Sequence, residues 1–109
     1  MPKVFIVQET KHNIIGAMKY GELEILLPAH EQIVLSATNA GNKMKRKLSK
    51  FHPDEDFLIL IGDPVAMGLA FALVSHYTHG RFKVLKWDRQ EQMYYPIQVD
   101  LFNKGERDE

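Results

Sequence analysis

Two carboxylates stand just past the two most apolar stretches of this chain. Glu9 follows Lys3–Gln8 (KVFIVQ), and Asp63 follows Phe57–Ile61 (FLILI) after one glycine. If both stretches are strands of one sheet, the two acids converge at the same edge. A carboxylate pair there can hold a divalent cation or work as an acid and a base. Asp63 also has a plainer task. In Gly62-Asp63-Pro64 the carboxylate can accept from the free N–H groups of a helix start, and proline loses nothing at the first helical position. Gly62 permits a turn that other residues resist. The helix N-terminus so formed can in principle hold an anion or a polar ligand. However, GxGxxG and GxxxxGK[ST] are both absent from the sequence, and Asp63 repels a phosphate.

Histidines and serines add little chemistry. His76 and His79, three positions apart near a helix end, can share a metal, but spacing places no third ligand beside them. Imidazoles there also suit the negative end of the helix dipole. Ser36, Ser49 and Ser75 lack the context of a nucleophile elbow. No catalytic residue, metal ligand or cofactor is assigned, and the reading leans away from an enzyme.

Two basic groups suggest a polyanion. Lys43, Lys45, Arg46, Lys47 and Lys50 crowd one segment, and Arg81, Lys83, Lys86 and Arg89 follow later, with Trp87, Tyr94 and Tyr95 available for stacking. Cations interleaved with aromatics can bind nucleic acid. A formal net charge of zero favours ordinary solvated faces. Acidic residues gather elsewhere, at 54–56 and 106–109, which leaves room for a local basic patch.

The elements that carry these residues can be read from the apolar pattern. Lys3–Gln8 and Phe57–Ile61 are apolar on consecutive positions, the mark of adjacent, parallel central strands covered on both faces. Residues 10–21 read either as a short helix, with Asn13 as cap and Gly21 as stop, or as an irregular loop, since Gly16 interrupts the pattern. Leu23–Leu27 reads as a strand ended by Pro28, and Gln32–Leu35 as a short strand or an extended link. Within Ser36–Lys50 the best-defined helix is Lys43–Lys50, with Met44, Leu48 and Phe51 on one face. Asn39-Ala40-Gly41-Asn42 is a poor helix interior, so the helix is expected to begin near residue 41. His52-Pro53 breaks the chain. A helix then follows Asp63, Gly80 ends it, and Arg81–Trp87 and Met93–Phe102 flank a hairpin turn. Pro96 cannot donate to a ladder, which argues for an edge strand. The expected fold is α/β and Rossmann-like: a compact layered domain with a mixed, mainly parallel sheet of four to five strands, two or three helices and a C-terminal hairpin. Residues 1–102 form one domain and 103–109 a disordered tail.

The helix after Pro64 is unusual because Val65–Val74 contains no polar side chain. Val65, Leu69 and Leu73 can face the sheet. Met67, Phe71 and Val74 then point elsewhere and need a cover, from within the chain or from a protein partner. Gly68 and Ala72 would let another backbone approach closely.

At 109 residues with 45% apolar residues, the chain can bury a core without staples. It has no cysteine, which excludes disulfides and thiolate chemistry and suits a reducing compartment. Its longest apolar run is too short for a membrane span, and the N-terminus is too short and polar for a signal peptide. A cytoplasmic protein is expected.

YGELEILLP (20–28), IGDPVAMGLAFAL (61–73) and GRFKVLKWDRQEQMYYPIQVDL (80–101) resemble a group of small proteins encoded by tailed bacteriophages. The likeness runs from residue 3 to 101. Its motifs carry no known chemistry. The resemblance implies a virus-encoded protein working in the cytoplasm of a bacterial host, and supplies no activity, cofactor or site residue. Here the connection after Glu9 is short and residues 39–47 are unusually basic. The leading expectation is a non-enzymatic phage accessory protein acting through protein contacts, as a homodimer or against a host protein, with Met67, Phe71 and Val74 at the interface. The alternative is nucleic-acid binding through the helix of 43–50 and the hairpin of 81–95.

Overall fold

The computed structural model describes residues 1–11, 14–31, 33 and 37–102. The cap expected at Asn13, the link Gln32–Leu35 apart from Ile33, and the tail 103–109 lie outside the described residues. Five strands form one sheet in the order β2-β1-β3-β4-β5. They are β1 (Lys3–Gln8), β2 (Glu22–Leu27), β3 (Phe57–Ile59), β4 (Arg81–Asp88) and β5 (Met93–Asp100). The pairs β1–β2, β1–β3 and β3–β4 are parallel, and β4–β5 is antiparallel. The fold is therefore α/β with a mixed, mainly parallel sheet and a C-terminal hairpin, as the apolar pattern predicts.

The crossovers follow from handedness. The chain steps from β1 to β2 in one direction and returns past β1 to reach β3. Right-handed crossovers then place the first connection on one face and the next two on the other. A 3-10 helix of Ile15–Tyr20 packs on β1, β2 and β5, whereas α1 (Ala37–Leu48) packs on β2, and α2 (Pro64–Thr78) on β1 and β4. The helix expected within 10–21 is this tighter 3-10 form, ended at Gly21. On the α-helical face Phe5, Val7, Leu58 and Phe82 meet Met44, Leu48 and Val74. On the opposite face Val4, Ile6, Ile59 and Leu85 meet Ala17 and Tyr94. Both central strands are thus buried on both sides, which is why they read as unbroken apolar runs.

Three differences from expectation bear on the site. First, α1 begins at Ala37 and runs through Asn39–Asn42. Ala40, Met44 and Leu48 are fully buried at successive turns, and that burial outweighs the poor helix propensity of Asn and Gly, worth at most about 1 kcal/mol each. Second, β3 stops at Ile59, two residues early, for a reason given below. Third, α2 is rotated from the expected setting. Its innermost line is Ala66, Ala70, Val74 and Thr78, so small residues bring the helix close to the sheet. Val65 is 57% exposed, while Leu69 and Leu73 are partly buried against the core.

Candidate functional site

In open α/β sheets ligands bind outside the carboxyl ends of the strands, where the strand order reverses. Here that point lies between β1 and β3, and the chain fills it itself. Gln8, at the end of β1, is 5% exposed. Its amide nitrogen donates to the carbonyls of Pro28 at 3.2 Å, Ala29 at 3.4 Å and Glu31 at 3.2 Å. Its amide oxygen accepts from the backbone N–H of Asp63 at 2.9 Å. One side chain thus ties the loop after β2 to the turn after β3. Gly62, at φ 116°, lies so close that an added Cβ would stand 2.5 Å from Cβ of Gln8. The Asp63 carboxylate caps α2, accepting from the N–H of Val65 at 2.8 Å and of Ala66 at 3.3 Å. Glu9 is exposed. The acid of Asp63 is therefore occupied as a cap, and the crevice that would bring it to a ligand holds Gln8.

The same tie opens a second site. Drawing the 60–63 turn toward β1 pulls the chain away from β4, so the β3–β4 ladder ends at Leu58–Val84 while β4 continues to Asp88. Between the diverging chains lies a cleft of about 340 Å³, walled by Ile59, Leu60, Ile61, Leu85, Trp87 and Ile97. Its aromatic wall is Trp87 against Tyr94, 4.9 Å between centroids at 64°. Burial holds the Tyr94 hydroxyl above its usual pKa.

Ladder parity decides which backbone groups face this cleft. The N–H of Leu101 donates to the carbonyl of Gly80 at 3.0 Å, which sets the hydrogen-bonded pairs of the hairpin as 82–99, 84–97, 86–95 and 88–93. The pairs Leu85–Pro96 and Trp87–Tyr94 are then the non-bonded kind, with backbone groups turned outward. Pro96 fits, since it has no N–H to give. Tyr94 fits as well, because its carbonyl accepts from the Tyr20 hydroxyl at 3.0 Å on the open side. On β4 the same parity turns the carbonyl of Leu85 and both backbone groups of Trp87 toward β3, beyond the point where β3 has left. They face the cleft with no strand beside them.

The outer edge of β5 is protected by contrast. Pro96 offers no donor there and Tyr20 covers the carbonyl of Tyr94, both of which discourage another strand.

The remaining expected residues are placed as follows. Val74 is fully buried. Met67 and Phe71 are partly buried against the core, and the Phe71 ring lies 5.0 Å from that of Phe82. The chain itself thus supplies much of their cover. His76 is exposed on the last turn of α2, and His79 ends it in the left-handed region at φ 56°. Among the described residues no group of three potential metal ligands occurs.

The basic residues do not form one surface. Lys43 pairs with Glu31 at 2.7 Å, and Lys47 lies 3.8 Å from Glu24. Arg81 pairs with Asp54 at 2.9 Å. Lys83 donates to the Asp54 carbonyl at 3.0 Å and stands over the Phe57 ring at 4.6 Å. Lys45, Arg46 and Lys50 are exposed on or just after α1, which covers β2. Lys86 and Trp87 lie at the far end of β4 and Arg89 in the turn just after it, three strands or about 14 Å across the sheet. Near α1, Lys3 donates to Glu24 at 2.9 Å. That bond holds the Glu24 carboxyl below its ordinary range and the Lys3 amine above its own.

Spacing and motif alone do not reveal the cleft. Leu60, Ile61 and Ile97 read as strand residues, and Gln8 as the polar end of a strand. A signal that bears on it is the mismatch between a short β3 and a long β4, which depends on a side-chain contact between residues 55 positions apart.

The fold and the cleft define a small open-sheet α/β protein with a plugged switch point and an apolar fork at its carboxyl edge. The chain belongs to the Phage Pam3 gp32-like protein family, whose pattern matches residues 2–101. Comparison with curated proteins and with solved structures gives no match. Among the described residues no helix is long and apolar enough to cross a membrane.

Proposed function

We propose that this phage protein acts by binding another polypeptide in the host cytoplasm, without catalysis of its own, and that its contact surface is the apolar carboxyl edge. One observation carries the reading. Leu60 at 37%, Trp87 at 36%, Tyr95 at 40% and Ile97 at 40% exposure are large apolar side chains around two adjoining depressions. A monomer gains nothing from leaving such a cluster in water, and clustered apolar exposure marks contact surfaces. The engaged state of Gln8 and Asp63 supports binding over chemistry at the strand ends. The ion pairs of Lys43, Lys47 and Arg81 weigh against a polyanion partner.

A photo-reactive phenylalanine analogue at position 95, with a control at Ser49, tests the surface in infected cells. Discrete cross-linked products from position 95 and not from 49 are expected. Identical products from both positions, or none from 95, would refute it. Sedimentation equilibrium tells a self-adduct from a foreign partner, and no mobility shift of DNA or RNA is expected at low salt, where phosphate contacts are strongest.

A further inference from the structure

We infer that the fork between β3 and β4 receives an extended apolar peptide segment that carries an acidic residue, and that this segment takes the place β3 vacates beside β4. The inference rests on the contact surface proposed above and names the kind of partner that fits it.

Three observations point to an extended chain. The carbonyl of Leu85 and the N–H and carbonyl of Trp87 face the cleft in the alternation of a strand edge, with no strand beside them past Leu58–Val84. Only a backbone with the same repeat, about 6.6–6.8 Å per two residues, meets all three in line. Both faces of the vacant position are apolar. Ile59, Leu85 and Trp87 stand on one side, and Val84 and Ile97 on the other, so successive side chains of the guest are both accommodated. The volume of about 340 Å³ suits two or three residues rather than a helix, which is about 10 Å across.

Charge completes the description. Lys86 lines the cleft and Arg89 the depression next to it, and neither has an ion-pair partner among the described residues. The nearby Asp88 carboxylate accepts from the N–H groups of Gln90 at 2.9 Å and Glu91 at 3.1 Å within the hairpin turn. The lining thus carries two cations, Lys86 and Arg89, against one carboxylate, Asp88, and this net positive charge complements an acidic side chain on the guest. A second copy pairing through its own β5 edge is disfavoured by Pro96 and by the cover over the Tyr94 carbonyl.

The test uses the full chain and a library of random dodecapeptides. Recovered binders are expected to share a short run of β-branched or aromatic residues without proline, next to Asp or Glu. Single N-methylation along a recovered peptide should weaken binding about tenfold at every second position and little at those between, because only alternate N–H groups face β4. Lys86→Glu should weaken it about fivefold, and the Trp87 amide should gain protection from exchange. N-methylation without a two-residue period, basic or proline-rich binders, or no binder at all would each overturn strand addition. Cross-links from position 95 would still uphold the wider surface, so the two readings fail separately.

Discussion

Replacing Gln8 with leucine tests the tie that shapes both strand-end sites. Leucine keeps the volume and removes every hydrogen bond of the amide. The carbonyls of Pro28, Ala29 and Glu31 lie in a loop that is partly open to solvent, so water can replace the lost donor there, at about 1 kcal/mol in total. The part-buried N–H of Asp63 loses its side-chain acceptor, which stands at 2.9 Å. Stranding it costs about 1–3 kcal/mol. The apolar leucine offsets about 1 kcal/mol through its own burial. The net loss is about 2 kcal/mol, or a fall in Tm of about 8–16 °C for a domain of this size. Urea denaturation followed by the fluorescence of Trp87, the one tryptophan of the chain, measures it. Gln8→Glu gives an internal check. It keeps the acceptor for Asp63 but turns a carboxylate toward three carbonyls, so its deficit should shrink as acid protonates it. A loss below about 0.5 kcal/mol for Gln8→Leu, the range of neutral surface changes, would show that the amide does not hold the turn and that β3 leaves β4 for another reason.

Further expectations concern the helices and the acid limb. Val74→Ala, at a fully buried site, should cost about 2 kcal/mol, whereas Val65→Ala, at 57% exposure, should stay within about 0.5 kcal/mol; comparable losses in urea would mean that α2 is rotated differently. Asp63→Ala removes the acceptor of two first-turn N–H groups and should cost about 1 kcal/mol, with Asp63→Asn recovering most of it. Glu24 titrates below its ordinary value because Lys3 donates to it. Its stabilisation is therefore complete above about pH 4.5 and disappears as the pH falls through the lowered folded value. Glu24→Gln should flatten the urea midpoint below about pH 4.5 and leave the slope at higher pH unchanged; an unaltered acid limb would assign that dependence to other carboxylates.

The basic helix shows why charge in a sequence is weak evidence of a partner. Lys43 and Lys47 are close in sequence to Lys45 and Arg46, yet they meet Glu31 and Glu24 from other elements. Nothing in the local spacing announces those acids. The hairpin shows the converse. Pro96 alone marks β5 as an edge strand, because a missing N–H is a property of the residue and not of its surroundings.

What the sequence by itself determined is set by short-range physics: the two doubly buried strands from their unbroken apolar runs, the start of α2 from Asp63 and Pro64, and the hairpin with its edge. Those signals arise within one or two turns of chain. Tertiary structure decided how α2 is rotated, where β3 stops and which strand-end space stays open. Rotation was decided by Ala66 and Ala70 allowing the helix to approach the sheet, a matter of fit against a surface far away in sequence. The open fork was decided by one amide bridging Gln8 and Asp63. It fills the crevice that α/β folds usually offer to ligands and, by drawing the turn toward β1, leaves the backbone of Leu85 and Trp87 facing an apolar cleft.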